Sequence, residues 1–136
     1  MTGNNRYRYA SELSEFINSL TDKYNLRNST IPTTMTFEKH LVDRLLDRAI
    51  TKVHLSTMIT RLIKFRLCEL LFLHTLDPSK RVDLWFEGYI LGCSVTKFEG
   101  GEFTRYNIKL RTIFKASNTR NQLDNYFKIN LGETND

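Results

Sequence analysis

Cysteine is scarce in this chain: two residues in 136, Cys68 and Cys93, far apart and in unlike contexts. They form no CxxC pair, and His40, His54 and His74 show no ligand spacing around them. A zinc site is therefore not expected; reduced, buried thiols of a cytosolic or nuclear protein are. Long apolar runs are missing too. The most apolar stretch, residues 67–73, is interrupted by Glu69 and preceded by Lys64 and Arg66, so it cannot span a bilayer. The first residues, Met1-Thr2-Gly3-Asn4-Asn5-Arg6, contain no apolar core of a signal peptide. Asn28-Ser29-Thr30 fits a glycosylation sequon, which without secretion reads as coincidence.

Catalytic signatures are equally absent. There is no nucleophile elbow, P-loop, HExxH or Rossmann glycine pattern. Asp43 and Asp47 stand at i, i+4 with Arg44 and Arg48 beside them, a charged helix face rather than an acid–base dyad. The expectation is a protein that is not an enzyme, with no cofactor, metal, membrane or small-molecule substrate.

What the chain does contain is a core and an excess of positive charge. Hydrophobic residues make up 40% and aromatics 12%, enough for one domain or for two half-domains that finish their cores with help. The net charge of +5, with pI near 9.3, favours nucleic acid or an acidic partner. An ordinary soluble domain carries as much, so charge by itself does not choose.

Helical periodicity comes first along the chain. Residues 11–24 place Leu13, Phe16, Ile17 and Leu20 on one side, with Ser11 as N-cap. Residues 25–34, with Pro32 and several Ser, Thr and Asn, read as a linker. A second helix is expected from a Thr36 cap to about Ile50, with Phe37, Leu41, Leu45 and Ala49 as its apolar stripe. A third runs from about Leu55 to Leu76 and stops at Asp77-Pro78. Its first half is amphipathic, whereas 67–73 is apolar nearly all round. Leu67, Leu70, Leu71 and Leu73 are therefore expected to need cover from a sheet, a partner chain or both.

After Pro78 the period becomes alternating. Glu99-Gly100-Gly101-Glu102 places two glycines at the centre of a tight hairpin turn, where positive φ is needed. Pairing outward sets Phe98 opposite Phe103, Val95 opposite Tyr106, Cys93 opposite Ile108 and Leu91 opposite Leu110, the last three on one apolar face. A continuous antiparallel sheet over 82–115 is expected, with a short last strand at 126–131 after a polar loop. The other face of the second hairpin strand presents Phe103, Arg105, Asn107, Lys109, Arg111, Ile113 and Lys115, with no acid from 103 to 115. At ~3.3 Å per residue the row from Arg105 to Lys115 is long enough to meet several phosphates and release their counterions. The same four cations would equally keep the wet face of an antiparallel sheet soluble. Phe98 and Phe103 either staple the turn or form an interface hot spot. No base-reading motif accompanies them.

In order, these elements resemble the small (γ) subunit of the general transcription factor IIA, in a divergent form. Leu41-Val42-Asp43 is similar to the start of that family's first helix, and Leu62-Ile63-Lys64-Phe65 to the L-L-x-F of its second. Phe86-Glu87-Gly88 resembles its F-x-G strand, and Phe98 followed by Phe103-Thr104 its F…W-T signature with Phe for Trp. Leu123-Asp124-Asn125 and the strand after it resemble the family's last strand. The likeness extends from about Ser29 to Leu131. The helix at 11–24 is additional, a short insertion separates Gly88 from Phe98, and the family's Tyr just ahead of Phe98 is Thr96 here.

The resemblance implies an α+β chain: half of a helical bundle followed by an antiparallel β-hairpin or half-barrel. It divides the chain into an N-terminal helix and linker (1–35), a helical hairpin completed by a partner (36–77) and a sheet (78–136). It implies a nuclear heterodimer with the factor's large subunit, through Leu67, Leu70, Leu71 and Leu73. That assembly would stabilise the TATA-box-binding protein on promoter DNA. Phe103, with Phe98, would meet the protein partner, and Arg105, Lys109, Arg111 and Lys115 the DNA backbone. The alternative from the residues alone is an autonomous nucleic-acid-binding protein, a single-strand binder or viral silencing suppressor, that uses the basic hairpin face by itself.

Overall fold

The computed structural model describes residues 3–27, 32–100, 103–116 and 126–132. Helix α1 spans Gly3–Arg27, longer at both ends than its expected extent. Tyr9, Leu13 and Ile17 line its buried face at i, i+4 spacing, so Tyr9 carries the apolar stripe back beyond Ser11. Ser11 is thus an exposed interior residue and not a cap.

Strand β1, Thr33–Phe37, lies where a linker and a helix start were expected. Thr33 and Met35 are buried while Thr34 and Thr36 are exposed, a strand pattern that outweighs the capping signal of Thr36. The Asn25 side chain supports it as a second strand would: its amide donates to the Thr33 carbonyl and accepts from the Thr33 N–H, both at 2.9 Å. Helix α2 is consequently short, Leu41–Asp47. It ends in a Schellman-type cap, with Ile50 N–H donating to the Leu45 carbonyl at 3.0 Å and Ala49 N–H to Leu46 at 3.2 Å. Ala49 takes the left-handed position (φ 53°) and leaves the helical stripe expected of it.

Helices α3 (Lys52–Arg61) and α4 (Leu67–Leu76) are joined through a π-helical turn, Leu62–Arg66. Thr51 caps the start, its hydroxyl accepting from His54 N–H at 3.1 Å. The end falls at Asp77, as expected from Asp77-Pro78. Arg61 and Arg66 reach from this rod to the chain's last strand: Arg61 Nε donates to the Leu131 carbonyl at 2.6 Å and Arg66 to the Asn130 carbonyl at 3.1 Å.

Among the described residues the sheet has five strands in the order β1-β4-β3-β2-β5. Strands β2 (Arg81–Phe86), β3 (Tyr89–Gly100) and β4 (Phe103–Lys115) form an antiparallel meander over the stretch expected to be antiparallel sheet, with a turn between β2 and β3 that the sequence reading did not include. Strand β1 joins β4 in parallel, and β5 (Tyr126–Asn130) joins β2 in parallel, so the sheet is mixed. The β2–β3 turn uses Glu87 (φ 47°) and Gly88 (φ 83°), the two left-handed positions of a type I′ hairpin.

The β3–β4 register differs from the expected one by two residues. Val95 pairs with Ile108, Cys93 with Leu110 and Phe98 with Arg105. Gly100 pairs with Phe103, so the connection is 101–102; the expected turn residue Gly101 lies outside the described residues. A shift of two preserves which face each side chain takes, so the apolar face survives the error. Further along, a β-bulge opposite Gly92 and Cys93 leaves Arg111 of β4 without a partner in β3. Alternation inverts there, and Leu91 pairs with Ile113 rather than Leu110.

One apolar cluster holds the helices and one face of the sheet together. Leu13, Leu45, Leu55, Met58, Ile59 and Leu62 pack with Val82, Leu84, Leu91, Cys93, Ile108 and Leu110. Of the four leucines expected at a subunit interface, two are covered within the chain and two only in part. Leu67 (1% exposed) and Leu70 (0%) are buried inside this single chain, and Leu71 and Leu73 pack partly buried against the same core. Residues of α1 and of the inner face of the sheet belong to the same cluster as these leucines.

Candidate nucleic-acid interface

The residues that alternate out of that cluster form the second face of the sheet, which no described helix covers. On β3 these are Ile90, Gly92, Ser94, Thr96 and Phe98; on β2, Asp83 and Trp85; on β4, Arg105, Asn107, Lys109, Thr112 and Phe114. Thr34 and Thr36 of β1 continue the face on one side and Lys128 of β5 on the other.

The hairpin tip concentrates two of the expected site residues. Phe98 is 46% exposed, and the Arg105 guanidinium lies over its ring at 5.6 Å. Arg105 forms no ion pair with a described residue. The Phe103 backbone opens β4; its side chain lies outside the described residues.

Lys109 and Arg111 are on the same face but are not free charges. Lys109 Nζ is 3.6 Å and an Arg111 guanidinium nitrogen 3.8 Å from one Glu38 oxygen. Glu38 follows β1, a strand that the sequence did not announce, so the neutralising acid was not foreseen. Lys115 requires correction. Beyond the bulge at Arg111 it shares the parity of the buried Ile113 and pairs with Tyr89, on the helix side of the sheet. The expected unbroken row from Arg105 to Lys115 therefore stops at Arg111, and Ile113 is core rather than wet face.

Between the cations runs a polar ladder. The Thr34 hydroxyl donates to Asn107 Oδ1 at 2.9 Å, and Asn107 Nδ2 donates to the Thr36 hydroxyl at 3.2 Å. At the far end, Trp85, Ile90 and Phe114 make a small apolar patch in which Ile90 is 1% exposed and Lys128 Nζ sits 4.0 Å above the indole. Sequence reasoning placed Trp85 only within the sheet expected over 82–115 and did not single out Lys128. Their shared alternation with Phe98 was available, but the pairing of β2 with a parallel β5 was not.

Two titratable groups belong to the opposite, buried side. Burial pushes the Cys93 thiol well above its ordinary range, so it stays a neutral packing group. Burial, aided by the Lys97 charge, holds His74 below the usual histidine value; its ring meets Tyr106 edge-on at 5.8 Å. Among the described residues no cluster of three His, Cys, Asp or Glu side chains is placed to hold a metal ion. No described helix is long and apolar enough to cross a membrane.

The chemistry this surface offers is contact: cations for phosphate, rings for stacking, hydroxyls and an amide for hydrogen bonds. Comparison with protein-family models, curated proteins and solved structures finds no match to this chain.

Proposed function

We propose that this chain is a non-enzymatic, autonomous nucleic-acid-binding protein whose contact surface is the helix-free face of its sheet. The observation that carries the reading is the exposed Phe98–Arg105 pair at the hairpin tip. It offers a ring together with a guanidinium that no acid among the described residues neutralises, the combination that grips a phosphate backbone and its bases. Lys109 and Arg111 extend the track and exchange Glu38 for phosphate on binding. A core completed within one chain lets the protein act without a partner subunit. Fluorescence anisotropy of labelled nucleic acid with the purified chain tests this. Binding should weaken steeply with salt, and Arg105→Ala should lower both the affinity and the magnitude of the salt slope. Salt-insensitive binding, or an unchanged Arg105→Ala variant, would refute it.

A second reading follows the resemblance: a nuclear small subunit of transcription factor IIA that joins a large subunit and steadies the TATA-box-binding protein on promoter DNA. One observation favours it. Phe65, Phe72 and Leu76 remain 45%, 59% and 59% exposed along the π turn and α4, a helix face free for a partner. Here Phe98 and Phe103 would touch protein, and the basic residues DNA. Electrophoretic shift assays with the TATA-box-binding protein decide between the readings: a supershift requiring Phe98 supports the second, its absence the first.

A further inference from the structure

Two aromatic stations share the outer sheet face, and each has a cation over its ring. Phe98 with Arg105 lies at the hairpin tip; Trp85 with Lys128 lies at the other end. Trp85 pairs with Ile90 on β3, and Ile90 and Phe98 point the same way, eight positions apart on one strand. At ~3.3 Å per residue that separation is roughly 26 Å. Between the stations the floor is low: Gly92 has no side chain, and Ser94 and Thr96 are small. The Trp85 indole N–H has no acceptor among the described residues.

Resting on the nucleic-acid reading, we infer that the ligand is single-stranded, and that its bases stack at both stations while its backbone follows the cations between them. A duplex buries the faces of its bases in its own stack and offers nothing to either ring. A single strand offers a π-face at every nucleotide, whatever the sequence. The separation suits a site of about four nucleotides or more. At the second station the flexible Lys128 stem moves its ammonium from the indole to a phosphate, and the base takes its place on the ring. Asp83 lies beside this station and pairs with Lys128 across β2 and β5. The Thr34–Asn107–Thr36 ladder lies within reach of the sugars, where hydroxyl and amide groups can engage a ribose 2′-OH.

Trp85 is the chain's one tryptophan, so its emission reports directly on the second station. The experiment titrates the full chain with oligouridylates and oligothymidylates of increasing length, and with a duplex of matched length, following both anisotropy and Trp85 fluorescence. Single strands should quench Trp85, with affinity rising as the length becomes sufficient to fill both stations, and the duplex should bind at least tenfold more weakly. Phe98→Ala should weaken binding about tenfold while leaving the quench at saturation intact. Lys128→Ala, an exposed change that leaves the fold alone, should weaken it less and leave the first station working. Tighter binding of uridylate assigns the ladder to the 2′-OH; equal binding assigns the site to both sugars, and either agrees with the inference. Binding that leaves Trp85 emission unchanged, or a duplex that binds as well as a single strand, overturns the inference while the nucleic-acid reading stands. No binding to any of these probes at low salt overturns both.

Discussion

The two faces of the sheet alternate along the same strands, yet they have opposite compositions. The inner face is Val82, Leu84, Leu91, Cys93, Ile108 and Leu110, all at most 2% exposed. The outer face mixes Phe98 and Trp85 with Arg105, Lys109 and Lys128, and its order comes from cation–ring and amide–hydroxyl contacts. The difference teaches where each kind of energy lies. Burial on the inner side supplies stability, because apolar area leaves water there. Half-exposed pairs on the outer side contribute little to stability, since their charges stay solvated.

Leu70→Asp tests this division most severely. A carboxylate would enter a site with 0% exposure, and the chain by itself should lose about 4 kcal/mol or more, or fail to fold. Urea unfolding of the isolated chain measures it; a small loss would mean that the helices await a partner after all. Lys109→Ala on the outer face should change stability by no more than about 0.5 kcal/mol in the same assay.

A smaller effect belongs to the backbone. Ala49 sits at φ 53°, where glycine escapes the Cβ penalty, so Ala49→Gly should raise stability by about 1 kcal/mol. An unchanged or lower urea midpoint would show that glycine's greater freedom in the unfolded chain outweighs the relief of strain.

Glu38→Gln sharpens the comparison from the outer side. Freed of the carboxylate near 3.6–3.8 Å, Lys109 and Arg111 should bind nucleic acid several-fold more tightly, with unfolding shifted by less than about 0.5 kcal/mol. Equal affinity in anisotropy titrations would remove both cations from the binding track.

The mildest effect is pH dependence on the inner side. The folded-state value of His74 lies below its unfolded value, so the unfolded chain takes the proton first. Its contribution is fully present above the unfolded value, about 6.5, and is lost as pH falls below it. Urea midpoints should therefore drop between pH 7.5 and 5.5, and less so in His74→Gln. Asp43, held low by its hydrogen bond from Arg6, works in the same sense but in a more acid range: its contribution is present above its unfolded value and lost in more acid solution. It is silent across that interval.

Much of the α+β architecture was legible because its signals are local. The stripe of Leu13 and Ile17, the Asp77-Pro78 stop and the period-two pattern of β3 and β4 each need only neighbours in sequence. Strand β1 was not legible, because a threonine-rich pentapeptide becomes a strand only when β4 offers it hydrogen bonds. Of the candidate site, Phe98 and Arg105 keep the face expected of them, since an error of two residues in register preserves parity. Lys115 does not, since the bulge at Arg111 is an error of one.

The sequence by itself determined the helical character of α1, α3 and α4 and the antiparallel pairing of β3 with β4, and it divided β3 and much of β4 into a wet and a dry side. Alternation and helical spacing are properties of the chain as written. Only the tertiary structure decided that Leu67 and Leu70 are buried within the chain while Phe72 and Leu76 of α4 stay exposed. It also decided that Glu38 neutralises part of the basic row, and that Trp85 and Lys128 share a face with Phe98 and Arg105. Those outcomes depend on parallel pairings and a bulge between distant segments, and no local pattern specifies the partner that a strand edge will find.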